Sequence, residues 1–439
     1  MSTASWPNSF SFIEPQELEI PMTLRTLLGS AALAALLPCA TLAQVMSLDE
    51  PDEQAPIQDG EEPLIRMNKD DPSYDVWKLL RDDLSKGREP GPINIQRLRG
   101  GFPWQGMPTF FHMPVALTPE DLKAGEVDIA IFGAEMYNGM RVQSYGPMEM
   151  RAPMKSEVYH NWGFHMPELD SGLAALDELN VVDYGNAPVH PLSMEISIPE
   201  VRKFVAEVAG IELENGNRTI PIIIGGGHVL MYPDAAGLTD VYGKGNLQII
   251  HFDAHADQAP VGFGVYNTHG NPVRRLVEEG FINGEDIIQI GLRGPNSTDL
   301  NGVAWNRESG LRYHMMAEVE RRGWQAVMDD VLAEARANGK PLFLSFDIDV
   351  VDPAFIPGTS TPEPGGMYMR EALPLVRRIC AENNLVGMEI VELRPERDPG
   401  YISVQNSKAI LRQCLNGIAM AKHNLPDNYL HPDIVDDGK

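Results

Sequence analysis

Eight short apolar runs recur between residues 127 and 393, and the stretches between them carry helical periodicity. The runs are VDIAIFGA (127–134), NVVDYG (180–185), TIPIIIGG (219–226), LQIIHFD (247–253), DIIQIGLRG (286–294), RYHMMA (312–317), PLFLSFDID (341–349) and LVGMEIVEL (385–393). Several are apolar on both faces, as strands are when helices cover the sheet from both sides. Between them, Ile198, Val201, Val205 and Val208 share one helical face with Pro199 near its start, and Trp324, Val327, Met328, Val331, Leu332 and Ala335 share another. This alternation predicts an α/β fold with a mainly parallel sheet and helices on both faces. Sites in such sheets lie beyond the carboxyl ends of the strands.

Four of the runs deliver polar groups at that end. IIIGGGHVL brings His228, HFDAHAD brings Asp253, His255 and Asp257, SFDIDVVDP brings Asp347 and Asp349, and MEIVELRP brings Glu389 and Glu392. If the period-two alternation of the fourth run continues through HFDAHAD, positions 253, 255 and 257 project from one side. Carboxylates gathered there are costly to bury without a cation. Taken singly, His228 reads as a turn residue, Asp347 as a helix cap and Asp352, before Pro353, as a turn residue; His251 shares the face of Asp253 deeper in the strand, as a core or supporting histidine. Taken together, D-A-H-A-D and D-I-D at successive strand ends point to metal. Six ligands, His228, Asp253, His255, Asp257, Asp347 and Asp349, would hold two divalent ions with bridging carboxylates. Oxygen-rich ligation with some imidazole favours Mn²⁺ and allows Ni²⁺, with Zn²⁺ less favoured and Mg²⁺ or Ca²⁺ disfavoured.

With these motifs in order, residues 125–425 resemble the arginase/agmatinase family of ureohydrolases, whose pattern is GG[DE]H, DAHxD, HG and SFDxDxxDPxxxPGTGTPxxGG. The resemblance implies a three-layer arginase-like fold of about eight strands carrying a two-manganese site on the six residues named. It implies hydrolysis of a small cationic guanidino compound to urea and an amine. Asp257 would accept the proton of a water acidified by the metals, and Glu392 would hold the guanidinium by paired hydrogen bonds. His269, in NTHGNPVRR, would shuttle a proton to the leaving amine. The family also implies a homo-oligomer, a trimer or hexamer.

The chain departs from the pattern at several points. Gly227 stands where the family has an acid, Ser360 replaces a glycine in PGTSTPEPGG, GMYMRE is bulkier than usual, and NGMRVQSYGPMEMRAP keeps only part of a glycine- and arginine-rich segment. QAPVGFGVYNT (258–268) carries no charge, whereas arginases recognise an amino-acid head through polar side chains in this loop. An agmatine-like substrate is therefore expected. Phe263 and Tyr266 would also suit guanidine or an alkylguanidine, and guanidinobutyrate would need a cationic partner such as Arg274, Arg275 or Arg394. The alternatives of another class are a deacetylase-like metal hydrolase and a non-catalytic metal-binding protein.

Outside this region the chain changes character. MTLRTLLGSAALAALLPCATLAQ has one arginine, an apolar run from Leu27 to Leu37 and small residues up to Ala43. This reads as a secretory signal peptide over residues 1–43, with Met22 the true start of an over-long reading frame. The expected location is exported, periplasmic or extracellular, with no stable membrane association after cleavage. Residues 44–105 read as an acidic linker and N-terminal arm: Asp49–Glu62 holds seven acids and no base, Tyr74–Leu84 has Trp77, Leu80 and Leu84 on one side, and RLRGGFPWQGMPTFF is turn-rich. A catalytic domain over 106–430 and a tail over 431–439 follow. The net charge of −27 excludes nucleic acid as a partner, because phosphate binding needs a basic face. Three cysteines, Cys39, Cys380 and Cys414, exclude a disulfide framework, and pairing of the last two stays open.

Overall fold

A computed structural model describes residues 68–96, 107–137, 145–152, 167–261, 265–294, 300–398, 400–426 and 429–433. The signal-peptide and acidic-linker readings, most of the turn-rich arm segment, Phe263 and most of the tail lie outside the described residues. All eight expected strands form: β1 Ile129–Ala134, β2 Val181–Asn186, β3 Ile220–Gly225, β4 Gln248–Phe252, β5 Ile287–Leu292, β6 Arg312–Met315, β7 Leu342–Asp347 and β8 Leu385–Val391. They pair in the order β2-β1-β3-β8-β7-β4-β5-β6, and every pairing is parallel rather than merely most of them.

Strand parity divides the core in two. Ile222, Ile224, Ile250, Phe252, Leu344 and Phe346 face one side, while Ile223, Ile249 and Phe343 face the other. The second side is covered by α1 (Met194–Ala209) and α2 (Met231–Tyr242), through Val201, Val205, Ala235 and Leu238. The first is covered by α3 (Trp324–Asn338), α4 (Met369–Glu382) and α5 (Ile402–Lys422), through Val331, Val376 and Ile410. The result is the three-layer arrangement that buried parallel strands require. Cys380 on α4 and Cys414 on α5 form a disulfide, which answers the pairing left open by the sequence.

Four local expectations are corrected. Helix α1 begins one turn before Ile198, because Ser193 Oγ accepts from the Ile196 N–H at 3.3 Å; Pro199 therefore lies inside the helix. The sixth run stops at Met315, and Met316 opens a short helix. The Tyr74–Leu84 segment has only a 3₁₀ turn at Val76–Lys78, and Leu80 is exposed. It is tied down instead by Trp77 packed edge-on against His190 at 5.1 Å, and by the Arg88–Asp121 ion pair further along. Lastly, β4 ends at Phe252, so HFDAHAD is not a continued strand. Among the described residues no helix is long and apolar enough to cross a membrane.

Candidate metal and substrate site

The four polar clusters are 25 to 164 residues apart in sequence, yet β3, β8, β7 and β4 are consecutive neighbours in the sheet. His228 follows β3 on a 3₁₀ turn, Asp253 follows β4, Asp347 closes β7 and Asp349 sits on the 3₁₀ turn after it. Convergence does not come from strand alternation at 253–257. The chain bends after Phe252, and Asp257 takes a left-handed conformation with φ 45°, which costs a non-glycine residue energy. That turn aims its carboxylate back at the others.

Two histidines face the carboxylates, His228 and His255. His228 Nδ1 lies 3.0 Å from Asp253 Oδ2, 3.0 Å from Asp257 Oδ2 and 3.2 Å from Asp347 Oδ2. Despite this crowding, Nδ1 is buried without a hydrogen bond of proper geometry. His255 Nδ1 lies 3.0 Å from Asp349 Oδ2 and 3.4 Å from Asp253 Oδ1. Asp253 thus offers one oxygen to each group. Ligands about 2.1 Å from an octahedral ion are about 3 Å from each other along an edge. The spacing here fits polyhedron edges, the orphaned Nδ1 fits a ligand nitrogen, and the oxygen-rich donor set fits hard or borderline divalent ions.

His251 also comes within ligand distance of His228 and Asp253, but both of its nitrogens are engaged. The Gln289 amide donates to Ala256 O at 2.8 Å and to His251 Nδ1 at 3.1 Å. Nε2 is therefore the protonated nitrogen, and it donates to Asp253 Oδ2 at 3.0 Å. His251 holds the shared carboxylate rather than an ion, the supporting role expected of it.

The electrostatics of these side chains express the cluster's demand for positive charge. Burial disfavours the charged form of His255, but Asp253 and Asp349 outweigh it and push the imidazole up to about 12. Burial works against His228 too, and Asp253, Asp257 and Asp347 raise it well above its ordinary value. Burial followed by the charge of its neighbours holds Asp347 well above the carboxylate range. Asp253 goes the other way: burial opposes ionisation, and the three histidines around it, His228, His251 and His255, outweigh burial and hold it well below the carboxylate range.

A cavity of about 520 Å³ opens over this cluster, with His269 and Glu392 on its wall. Glu392 follows β8 with φ 61°. Its Oε1 accepts the His228 N–H at 2.9 Å, and its Oε2 is buried without a hydrogen-bond partner. Burial raises its carboxyl above the ordinary value, against the His228 N–H, Ser360 and His269, which favour the charge. His269 is exposed at the cavity wall. None of the three cations considered for a substrate carboxylate lines the cavity. Arg274 stacks over Trp305, Arg275 pairs with Glu279 over Tyr232, and Arg394 pairs with Glu396. Tyr266 is exposed, and it is not part of the cavity wall.

Several residues of the site were not read from the sequence as functional. Glu389, noted only as a strand-end carboxylate, lies beneath His228: His228 Nε2 meets Ser345 Oγ at 3.0 Å, and that hydroxyl donates to Glu389 Oε1 at 2.6 Å. Behind it, burial and then the charge of Glu389 hold the Asp234 carboxyl well above its usual range. The cavity wall also holds Gln258, whose two amide atoms are buried without partners, and Asn306, whose Oδ1 is likewise buried and unpartnered. Asn306 lies on a helix and Gln258 in a loop, and a neutral side chain in either place gives no local signal. Arg293 reaches the same wall, but it donates to the backbone carbonyls of Gly291, Asp349, Val350, Glu363 and Pro364. Among the described residues it is the one Lys or Arg lining the cavity.

Comparison with known proteins agrees with this geometry. Residues 127–416 match the model of the arginase family. Guanidinopropionase from Pseudomonas aeruginosa is 35% identical over 67% of this chain and 86% of its own length, and guanidinobutyrase from the same organism is 31% identical over 67% and 86%. The solved structure of proclavaminate amidino hydrolase from Streptomyces clavuligerus superposes with a TM-score of 0.63 at 29% identity, covering 73% of this chain and all of that one.

Proposed function

The chain belongs to the arginase family, and from that premise we propose that it hydrolyses the guanidinium group of a small, agmatine-like guanidino compound to urea and an amine. The observation that carries this reading is Glu392 Oε2, a buried acceptor without a partner in the wall of the cavity that the His–Asp cluster lines. A guanidinium N–H would satisfy it, and the family's reaction needs that group held beside the metals.

His228, Asp253, Asp257 and Asp347 would hold one divalent ion, and His255, Asp253 and Asp349 a second, with Mn²⁺ favoured and Ni²⁺ allowed by the donor set. Bound there, the ions supply Lewis acidity that makes water nucleophilic at neutral pH, lowering its pKa from 15.7 towards about 7. Asp257 then accepts a proton from that water. Glu392 fixes the guanidinium plane through charge-assisted hydrogen bonds. His269, exposed at the cavity wall, exchanges protons with solvent and delivers one to the departing amine nitrogen. The products balance: water adds to the guanidinium carbon, the C–N bond to the amine breaks, and urea leaves.

An unpaired cationic tail suits the cavity. The Glu363 carboxylate lies on its wall, the Arg293 guanidinium beside it is engaged by carbonyls, and Asn306 offers an acceptor. A second reading, a guanidino acid such as guanidinobutyrate or guanidinopropionate, is favoured by the names of the relatives. Urea release from agmatine, guanidinobutyrate, guanidinopropionate, methylguanidine, guanidine and arginine by the mature chain, loaded separately with Mn²⁺ and Ni²⁺, tests both. Preference for agmatine supports the first reading and preference for an acid supports the second. No urea from any of them, with metals confirmed bound, refutes both and favours a deacetylase-like hydrolase or a binding protein.

Export is part of the same proposal. It rests on the leader-like residues 1–43 and on the Cys380–Cys414 disulfide, a bond that persists in oxidising compartments. A homo-oligomeric state, trimer or hexamer, rests on family analogy, and light scattering of the mature protein tests it.

A further inference from the structure

Two departures from the family pattern, Gly227 and Ser360, are 133 positions apart in sequence and meet at one point in space. Between them stands Tyr137. A Cβ on Gly227 would lie 2.8 Å from Tyr137 Cδ2, 3.2 Å from Tyr137 Cε2 and 3.3 Å from Glu392 Oε1. Any side chain at 227 would therefore push against the ring, the carboxylate, or both. The Tyr137 hydroxyl lies 2.9 Å from Ser360 Oγ. Arg394 stands over the same ring at 4.5 Å and reaches Ser360 Oγ with Nη1 at 3.5 Å.

The donor count orders this cluster. Arginine can only donate, whereas the Tyr137 and Ser360 hydroxyls each carry one proton and can also accept, so either can donate across their 2.9 Å contact. With Arg394 and Tyr137 donating to Ser360 Oγ, the serine proton is left for an acceptor. The Glu392 carboxylate borders the same gap at Gly227 as the Tyr137 ring, Ser360 favours its charge, and its Oε2 has no partner in the structure and is open to more than one donor. The Glu392 backbone is already held by its N–H, which donates to Gly226 O at 2.7 Å, and Oε1 is held by the His228 N–H. We propose that Tyr137 and Ser360, admitted by the missing side chain at Gly227, are positioning residues that orient the Glu392 carboxylate for the substrate guanidinium. The pair acts in series: Tyr137 orients Ser360, and Ser360 orients Glu392. The inference rests on the role given to Glu392 under the proposed function and adds what sets its orientation.

The test compares the metal-loaded mature protein with Tyr137→Phe, Ser360→Gly, Ser360→Thr and the Tyr137→Phe/Ser360→Gly double variant. KM and kcat are measured for the guanidino compound the wild type hydrolyses best, together with bound metal. Loss of a hydrogen bond to a charged group is expected to raise KM by about tenfold, with metal content unchanged and Ser360→Thr close to wild type. Because the residues act in series, the double variant should be no worse than Ser360→Gly alone. Additive losses, or an unchanged KM in Tyr137→Phe, would overturn the proposal. A crystal structure of Ser360→Gly gives a readout independent of turnover: a rotated Glu392 carboxylate supports the proposal and an unmoved one overturns it. A wild type that hydrolyses no guanidino compound would sink the functional reading, while the crystal structure would still decide the positioning role.

Discussion

Reducing the Cys380–Cys414 disulfide changes one covalent bond and leaves the packing around it nearly intact, since both sulfurs belong to buried residues of the α4–α5 contact. The two cysteines are 34 positions apart, with Cα atoms 5.3 Å from each other. In the chain-entropy description, opening a loop of that size returns about 13 cal/mol/K to the unfolded chain, or about 4 kcal/mol at 25 °C. With about 2.1 cal/mol/K of unfolding entropy per residue, a cooperative unit the size of Asn68–Lys439 should lose about 5 °C in Tm. The assay is calorimetry of the mature protein, secreted through an oxidising compartment, with and without reductant at fixed free metal. Thiol titration in denaturant accompanies it, and should find no free thiol before reduction and two after. Two free thiols before reduction would refute the pairing and remove the disulfide's support for export. A Tm unmoved to within about 1 °C, with the bond shown to open, would refute the entropic argument.

Glu392→Gln should retain both metals and raise KM by about a hundredfold, the scale of breaking a buried charge-assisted pair, as read from steady-state kinetics alongside metal analysis; equal losses in kcat at unchanged KM would show a different role. Asp253→Asn removes a ligand oxygen from the carboxylate that faces both histidines, so bound metal should fall from two equivalents to one or fewer, measured by elemental analysis after dialysis. Asp257→Asn should abolish turnover and weaken metal binding, and normal activity would show its role misassigned. Metal affinity should rise with pH. His255, held at about 12 in the metal-free cluster, and His228, raised in the same sense, carry protons near neutrality that an incoming ion must displace. Each displaced proton adds up to tenfold in affinity per pH unit below the raised values. Titration calorimetry in buffers of different ionisation heat should record proton release, and no release would contradict these shifts.

Much of the fold was legible locally. The apolar runs that become β1 to β8 are read from residue type alone, because a strand buried on both faces has little choice of composition. The candidate ligand set was legible for a similar reason: acids and imidazoles one or two residues past an apolar strand have no place in a core without a cation. Boundaries were less legible. The start of α1 was misread because Ser193, a full turn before Ile198, supplies the cap, and the Tyr74–Leu84 stripe did not become a helix because its apolar residues are largely left in solvent. Neither outcome is set by periodicity.

What the sequence determined by itself is therefore the inventory: parallel strands, helices between them, and six metal-ligand candidates at strand ends. What the tertiary structure decided is who meets whom. Strand order puts β8 and β7 between β3 and β4, which brings Glu392 onto the His228 N–H across 164 positions. The left-handed turn at Asp257, rather than strand alternation, completes the His228 group. Tyr137 meets Ser360 across 223 positions, and only there does Gly227 become room for a ring. Periodicity and propensity act over a few residues, whereas these contacts are fixed by the packing of the whole sheet between its two helical layers.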